Sequence, residues 1–241
     1  MSTSFEKYSD ILLDAFQNNS RHDELAQKKY EIIMDLINHY DLSVDKILFI
    51  GFSPGILKCK YADIAITQVS DSVTNYLKQM GCSVRAVDHN DLGKEKFTVV
   101  IAVDEFLTFA GTDQDQRDLV GFVSSVSDSL LVTTLRDYKN QDFKDREFSQ
   151  PIVVRRGNEK KIYFEHYEYS VSDRNSYEGT NYIIDGEGVA VAGPFPRRSM
   201  YFKQLAKFSF DEGATAFLVH QNLMHKSVIK KNYEHIITIK F

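Results

Sequence analysis

Across about the first 40 residues, apolar positions recur at helical spacing. Ile11, Leu12 and Ala15 share one helical face and the polar run "NNSRHDE" interrupts. Leu25, Ile32, Ile33, Leu36 and Ile37 then gather on one side of a second helix that closes at "NHYDLS". The pattern predicts two helices over about residues 5–41, with Ser20 or Asp23 suited to cap the second through a side-chain oxygen. The period then changes. Apolar runs at 46–51, 63–69, 83–87, 97–103 and 129–135 have the length of buried strands, with helical patterns at about 71–80 and 113–127. Such alternation predicts an α/β, doubly wound and mostly parallel sheet covered on both faces. Its first crossover is unusually brief. Only "ILKCKYA", residues 56–62, stands between Gly55 and the second strand, which leaves room for about two helical turns at most.

Past Pro151 the chain becomes rich in β-branched and aromatic residues. Turn signals at Gly157-Asn158 and Asp185-Gly186 predict antiparallel hairpins. A helix over about 198–212 follows, with Gly213 placed as its C-terminal cap, and strands at about 215–220 and 233–241 close the chain. This reads as a single domain: N-terminal helices at 1–45, a core at 46–135, a hairpin insertion at 151–196, and a closing helix and strands at 197–241.

Charge and composition narrow the partners. Among 241 residues, 29 Lys and Arg against 34 Asp and Glu give a net charge of -5, which argues against nucleic acid as a broad, non-specific partner. The start "MSTSFEKYSD" lacks a charged segment followed by an apolar run, and no stretch approaches the roughly 20 apolar residues a bilayer requires. A cytoplasmic chain without membrane contact is expected. Cys59 and Cys82 form neither a disulfide framework nor a metal-ligand spacing, and His220, His225 and His235 lack an HExxH arrangement, so no metal is expected.

In open α/β sheets, ligands bind beyond the carboxyl ends of the strands. There the chain offers Gly51-Phe52-Ser53-Pro54-Gly55 after the first strand and Gln68, with Asp71 beyond it, after the second. "AVDHNDLGKEKFTVVIAVDEF" carries the third and fourth strand ends, and Arg136-Asp137-Tyr138 follows the fifth. Each has a structural reading too. The glycine loop suits a tight turn, Asp71 a helix N-cap, Asp88 a turn, and Arg136 with Asp104 or Glu105 an ion pair.

This order of elements and these loops resemble the Rossmann-like fold of the class I S-adenosylmethionine-dependent methyltransferases. The resemblance covers about residues 20–135 and 197–241 and leaves the hairpins as an insertion. It implies an antiparallel C-terminal strand and S-adenosylmethionine as the cofactor. The cofactor would be held by Gly51, Phe52, Ser53 and Gly55, by Gln68 near the ribose position, by Asp88 with His89 at the adenine, and by Asp104. Serine replaces the family's middle glycine, and Gln68 stands near its usual acid. Asp91-Leu92 match a further family pair. Asp104, Glu105, Arg136 and Asp137 stand where an acceptor would be oriented and deprotonated. A looser likeness of "TTLRDYKNQDFKDREFSQP" and "KKNYEHIITIKF" is to methyltransferase-like proteins of tailed phages of marine cyanobacteria, which implies a host cytoplasm.

Three further features complete the reading. His22 stands where the family often has an N-terminal lid, and a solvated surface histidine is the plainer reading. Alternation puts Tyr163, Glu165, Tyr167 and Tyr169 on one strand face, which either packs on the sheet or lines a substrate pocket. Arg197-Arg198 at the start of the closing helix, with Lys203 and Lys207 along it, suits capture of an anion or a solvated face. The functional expectation is methyl transfer to a small-molecule acceptor. The alternative is a catalytically inactive methyltransferase-like binding or assembly module, whose hairpin edges offer a surface for a second copy. A nicotinamide oxidoreductase would need GxGxxG opening a full helix, which is absent.

Overall fold

The computed structural model describes residues 2–18, 20–61, 63–88, 91–103, 106–136, 146–149, 151–220 and 234–241. Two helices, α1 (Ser2–Asn18) and α2 (Ser20–His39), precede a seven-stranded sheet. Its strands are β1 (Lys46–Ile50), β2 (Asp63–Thr67), β3 (Val84–Ala86), β4 (Phe97–Ala102), β5 (Ser127–Arg136), β11 (Ala216–His220) and β12 (Glu234–Lys240). They lie in the order β11-β12-β5-β4-β1-β2-β3. β1 to β5 run parallel, while β12 pairs antiparallel with both β5 and β11.

The unbroken apolar runs are explained by two covered faces. Along β1, Ile47 and Phe49 pack toward α2 and α3 (Asp71–Gln79), whereas Leu48 and Ile50 join the core under α4 (Asp113–Val126) and α5 (Phe202–Asp211). β4 alternates likewise, Val99 and Ile101 to one side and Val100 and Ala102 to the other. Every one of these side chains is at most 3% exposed. Helix α4 begins at a capping box, Thr112 Oγ1 accepting from the Asp115 amide at 3.1 Å while Asp115 accepts from the Thr112 amide at 2.9 Å.

The hairpin region forms a second sheet, β10-β9-β8-β6, with β7 also pairing β8. Its strands are β6 (Arg146–Phe148), β7 (Ile152–Arg156), β8 (Glu159–Tyr169), β9 (Ser176–Ile184) and β10 (Val189–Arg198). Tyr163, Glu165, Tyr167 and Tyr169 are buried on its inner face, as alternation along β8 requires. Tyr163 packs with Ala15 and Val154, and Tyr167 and Tyr169 pack with Tyr177, while Tyr169 also borders a cavity beside Arg197.

The first crossover holds a single short 3-10 helix at Pro54–Lys58, within the two turns its length allows, because seven residues must also carry the chain back to the start of β2. Two expectations are corrected. Arg197 and Arg198 do not open a helix: they end β10, with α5 starting at Phe202. The face of α1 that meets the core is centred on Phe5, Ser9 and Leu13, at i, i+4 spacing, with Leu12 of the expected face packed beside Leu13. Ala15 of α1 packs instead with Val154 and Tyr163 of the second sheet. α1 is thus wedged between the two sheets, and a helix with apolar positions on two sides suits that place.

Candidate functional site

Strand order brings the loops after β1, β2 and β3 side by side at the carboxyl edge of the sheet. Gly51 ends β1 with φ +81 and donates its amide to the Thr67 carbonyl at 2.9 Å. That left-handed conformation favours glycine at this point. The space beside it is filled. A Cβ on Gly51 would lie 2.9 Å from Cζ of Phe5 and closer still to Cε1. Likewise a Cβ on Gly55 would lie 2.6 Å from Cβ of Tyr30, whose ring is nearer yet. Both outer glycines of the loop therefore permit close approach of a helix, α1 at Gly51 and α2 at Gly55. Phe52 is buried and Ser53 precedes the 3-10 turn without a side-chain cap bond.

Gln68 also takes a left-handed conformation, with φ +59, and is 8% exposed. Its carbonyl accepts from Ser9 Oγ at 3.2 Å, and the same Oγ accepts from the Phe52 amide at 3.3 Å. Asp71 is not the cap of α3. Ser70 holds that position, its Oγ accepting from the Val73 amide at 3.4 Å and donating to the Asp10 carboxylate. Asp71 instead adds negative charge to the first turn.

Asp88 is exposed just past β3, and its carbonyl accepts from the Asp91 amide at 3.0 Å. Asp91 pairs with Lys94 at 2.7 Å, and its neighbour Leu92 is fully buried in the core. His89, Asp104, Glu105 and Asp137 lie outside the described residues, as does the side chain of His22.

Arg136 ends β5 and reaches the second sheet. Its Nη2 donates to the Tyr167 hydroxyl at 3.3 Å, and its guanidinium lies 5.6 Å from that ring's centroid. Tyr167 donates to Glu165 Oε2 at 2.7 Å, and Glu165 Oε1 accepts from Arg197 Nη2 at 3.1 Å. Arg197, 1% exposed, also donates to Thr108 Oγ1 at 3.2 Å in the turn after β4. Its guanidinium lies 3.4 Å from the Phe109 centroid and 4.9 Å from that of Tyr8. A continuous polar path thus runs from the end of β5 through the insertion sheet to the loop after β4. The sequence reading missed Arg197, Glu165 and Thr108 as members. One signal for them existed: a carboxylate on an otherwise tyrosine face must find a partner once that face is buried.

Arg198 serves the other side of β10, donating to Asp113 at 2.6 Å and Asp173 at 2.5 Å. The Arg198 hydrogen bond holds the Asp173 carboxyl below the usual carboxylate range. Both arginines are committed inside the protein rather than set out for an anion. Burial pushes His220 down, and its Nε2 meets Thr238 Oγ1 at 2.9 Å. Burial pushes the thiols of Cys59 and Cys82 up. Among the described residues no cluster of His, Cys, Asp and Glu could hold a metal ion, and no helix is long and apolar enough to cross a membrane.

The chain has the Rossmann-like fold of S-adenosylmethionine-dependent methyltransferases, including the antiparallel strand and the second sheet. It is similar to the CcbJ methyltransferase from Streptomyces caelestis, at TM-score 0.69 and 12% identity over 99% of this chain and 98% of that one. Streptomyces venezuelae DesVI matches at 0.69 and 14% over 96% and 97%. CalS10, an amino pentose methyltransferase from Micromonospora echinaspora with S-adenosylmethionine bound, matches at 0.67 and 12% over 96% and 97%. No protein-family model matches the chain. No curated protein matches it by sequence.

Proposed function

We propose that the chain is an S-adenosylmethionine-dependent methyltransferase acting on a small-molecule acceptor. The observation that carries this reading is the alignment of the Gly51, Gln68 and Asp88 loops at one sheet edge, in a fold shared with a structure that binds this cofactor. In kind these residues suit the group: the exposed Asp88 carboxylate suits an exocyclic amine because it only accepts, and the loop from Gly51 through Phe52 and Ser53 to Gly55 and the turn at Gln68 carry main-chain groups of the right kind, against which Phe5, Ser9 and Tyr30 stand in this structure. His89 and Asp104 complete the proposed set.

When bound, the cofactor supplies a methyl group made electrophilic by its sulfonium. The protein's part is in-line placement of the acceptor and, where the acceptor carries a proton, a base. Arg136 is proposed to orient the acceptor at the mouth of β5, its own direction set by Tyr167. Asp104, Glu105 and Asp137, which follow β4 and β5 along the chain, are the proposed bases. CalS10 is named as an amino pentose methyltransferase, so a small amine is the acceptor to try first.

Calorimetry with S-adenosylmethionine and S-adenosylhomocysteine tests the reading, with Asp88→Ala weakening binding by about tenfold. Absence of heat at millimolar ligand sinks it and favours a module without catalysis.

A further inference from the structure

We propose that α1 is a self-inhibitory plug, seated in the cofactor's place beside Gly51 and displaced when the cofactor binds. The inference rests on the methyltransferase reading and concerns how its site is regulated. Three observations carry it.

The first is occupancy. Phe5 is 2% exposed, its ring 4.9 Å from that of Phe106 and 4.7 Å from that of Phe109. It approaches Gly51 so closely that even one added methyl would collide. No ligand can lie against Gly51 while Phe5 is there, because packed atoms leave no spare volume.

The second is imitation of a ligand. Ser9, fully buried, donates to the Gln68 carbonyl and accepts from the Phe52 amide. These are main-chain groups at the ends of β2 and β1, the positions where an open α/β sheet meets its ligand. A single hydroxyl satisfies both, as a ligand hydroxyl would.

The third is the way α1 is held. Asp10 accepts from Ser70 at the start of α3, and Asp14 accepts from Tyr163 at 2.9 Å and from Lys161 at 3.4 Å on β8. Short polar side chains thus latch the helix to the start of α3 and to β8, beside the apolar contacts of Phe5, Leu13 and Ala15. The polar latches can exchange partners with water at small net cost, so release is opposed chiefly by those apolar contacts.

A plug taxes affinity by the fraction of molecules in which the site is open. Loosening α1 should therefore tighten cofactor binding. The experiment is calorimetry with S-adenosylhomocysteine on the full chain as wild type, Phe5→Ala and Asp14→Ala, paired with amide hydrogen exchange over residues 2–18. The chain contains no tryptophan, so Tyr8→Trp adds a sole indole, selectively excited, as a reporter on α1. Expected are binding about tenfold tighter in both variants, faster exchange in α1 on ligand addition, and a red-shifted indole. Should Phe5→Ala fold poorly, Asp14→Ala, altered at a partly exposed latch, still decides. Unchanged or weaker binding in the variants, with α1 better protected by ligand, would make α1 a wall of the filled site. That result overturns the plug and leaves the cofactor reading standing. No binding by any variant overturns both.

Discussion

The buried guanidinium of Arg197 in β10 is paired with the Glu165 carboxylate in β8 at 3.1 Å. The pair sits on the inner face of the insertion sheet, with Thr108 of the core as a further partner. Such pairs are costly to break from one side, because the partner is left charged and dry. Arg197→Met should destabilise the protein by about 3–5 kcal/mol, and Arg197→Met with Glu165→Leu should recover much of the loss. Urea unfolding of the two variants checks this. Equal loss in both would mean that the pair is not what Arg197 contributes.

Gly55 abuts Tyr30, so Gly55→Ala must push α2 away from the loop. Overpacking of this kind costs about 1–3 kcal/mol. Gly186→Ala, where a Cβ would meet nothing within 4 Å, should change stability little. Thermal unfolding of the two side by side tests the contrast.

Thr112 and Asp115 satisfy each other's amides at the start of α4. Thr112→Ala frees one donor, and a loss of about 1 kcal/mol is expected, with Thr112→Ser close to wild type. Denaturant midpoints with unchanged slopes are the check. A null effect for Thr112→Ala would show that the cap adds nothing beyond the packing of α4.

Glu95 accepts from Lys46 and from Arg85, each at 2.8 Å, and the Lys46 bond first among these causes holds its carboxyl below the ordinary value. Its folded value is thus lower than its unfolded one. The stabilisation is complete above the unfolded value, about pH 4.3, and is lost as pH falls through the depressed folded value. Melting temperature should be level from neutral pH down to about 5.5 and fall below about 4.5, with Glu95→Gln giving a shallower fall. Identical pH profiles for wild type and variant would remove Glu95 as a source of acid sensitivity.

Much of the fold was legible locally. β1, β2 and β4 could be located because both faces are covered, which turns each into an unbroken apolar run at its place in the chain. The turns at Gly157 and Asp185-Gly186 were legible because their chemistry is local. Gly213, at φ +95 just past α5, was legible for the same reason. Arg197 and Arg198 were misplaced by the same logic. Two arginines followed by a helical pattern read as a helix start, and only pairing with β9 makes them strand residues.

The glycine loop shows the limit most clearly. Sequence spacing alone established that Gly51 and Gly55 flank a tight turn after a buried strand, since φ and close packing act over a few residues. What stands against those glycines was settled only by tertiary structure. Phe5 lies 46 positions from Gly51 and Tyr30 lies 25 from Gly55, and no local pattern specifies which side chain fills a space that distant elements create. The periodicity of the chain determined its strands, turns and layer order through short-range sterics and burial. The place of α1 against Gly51, and the burial of Arg197 against Glu165, were decided by long-range packing, where volume and charge must be satisfied together.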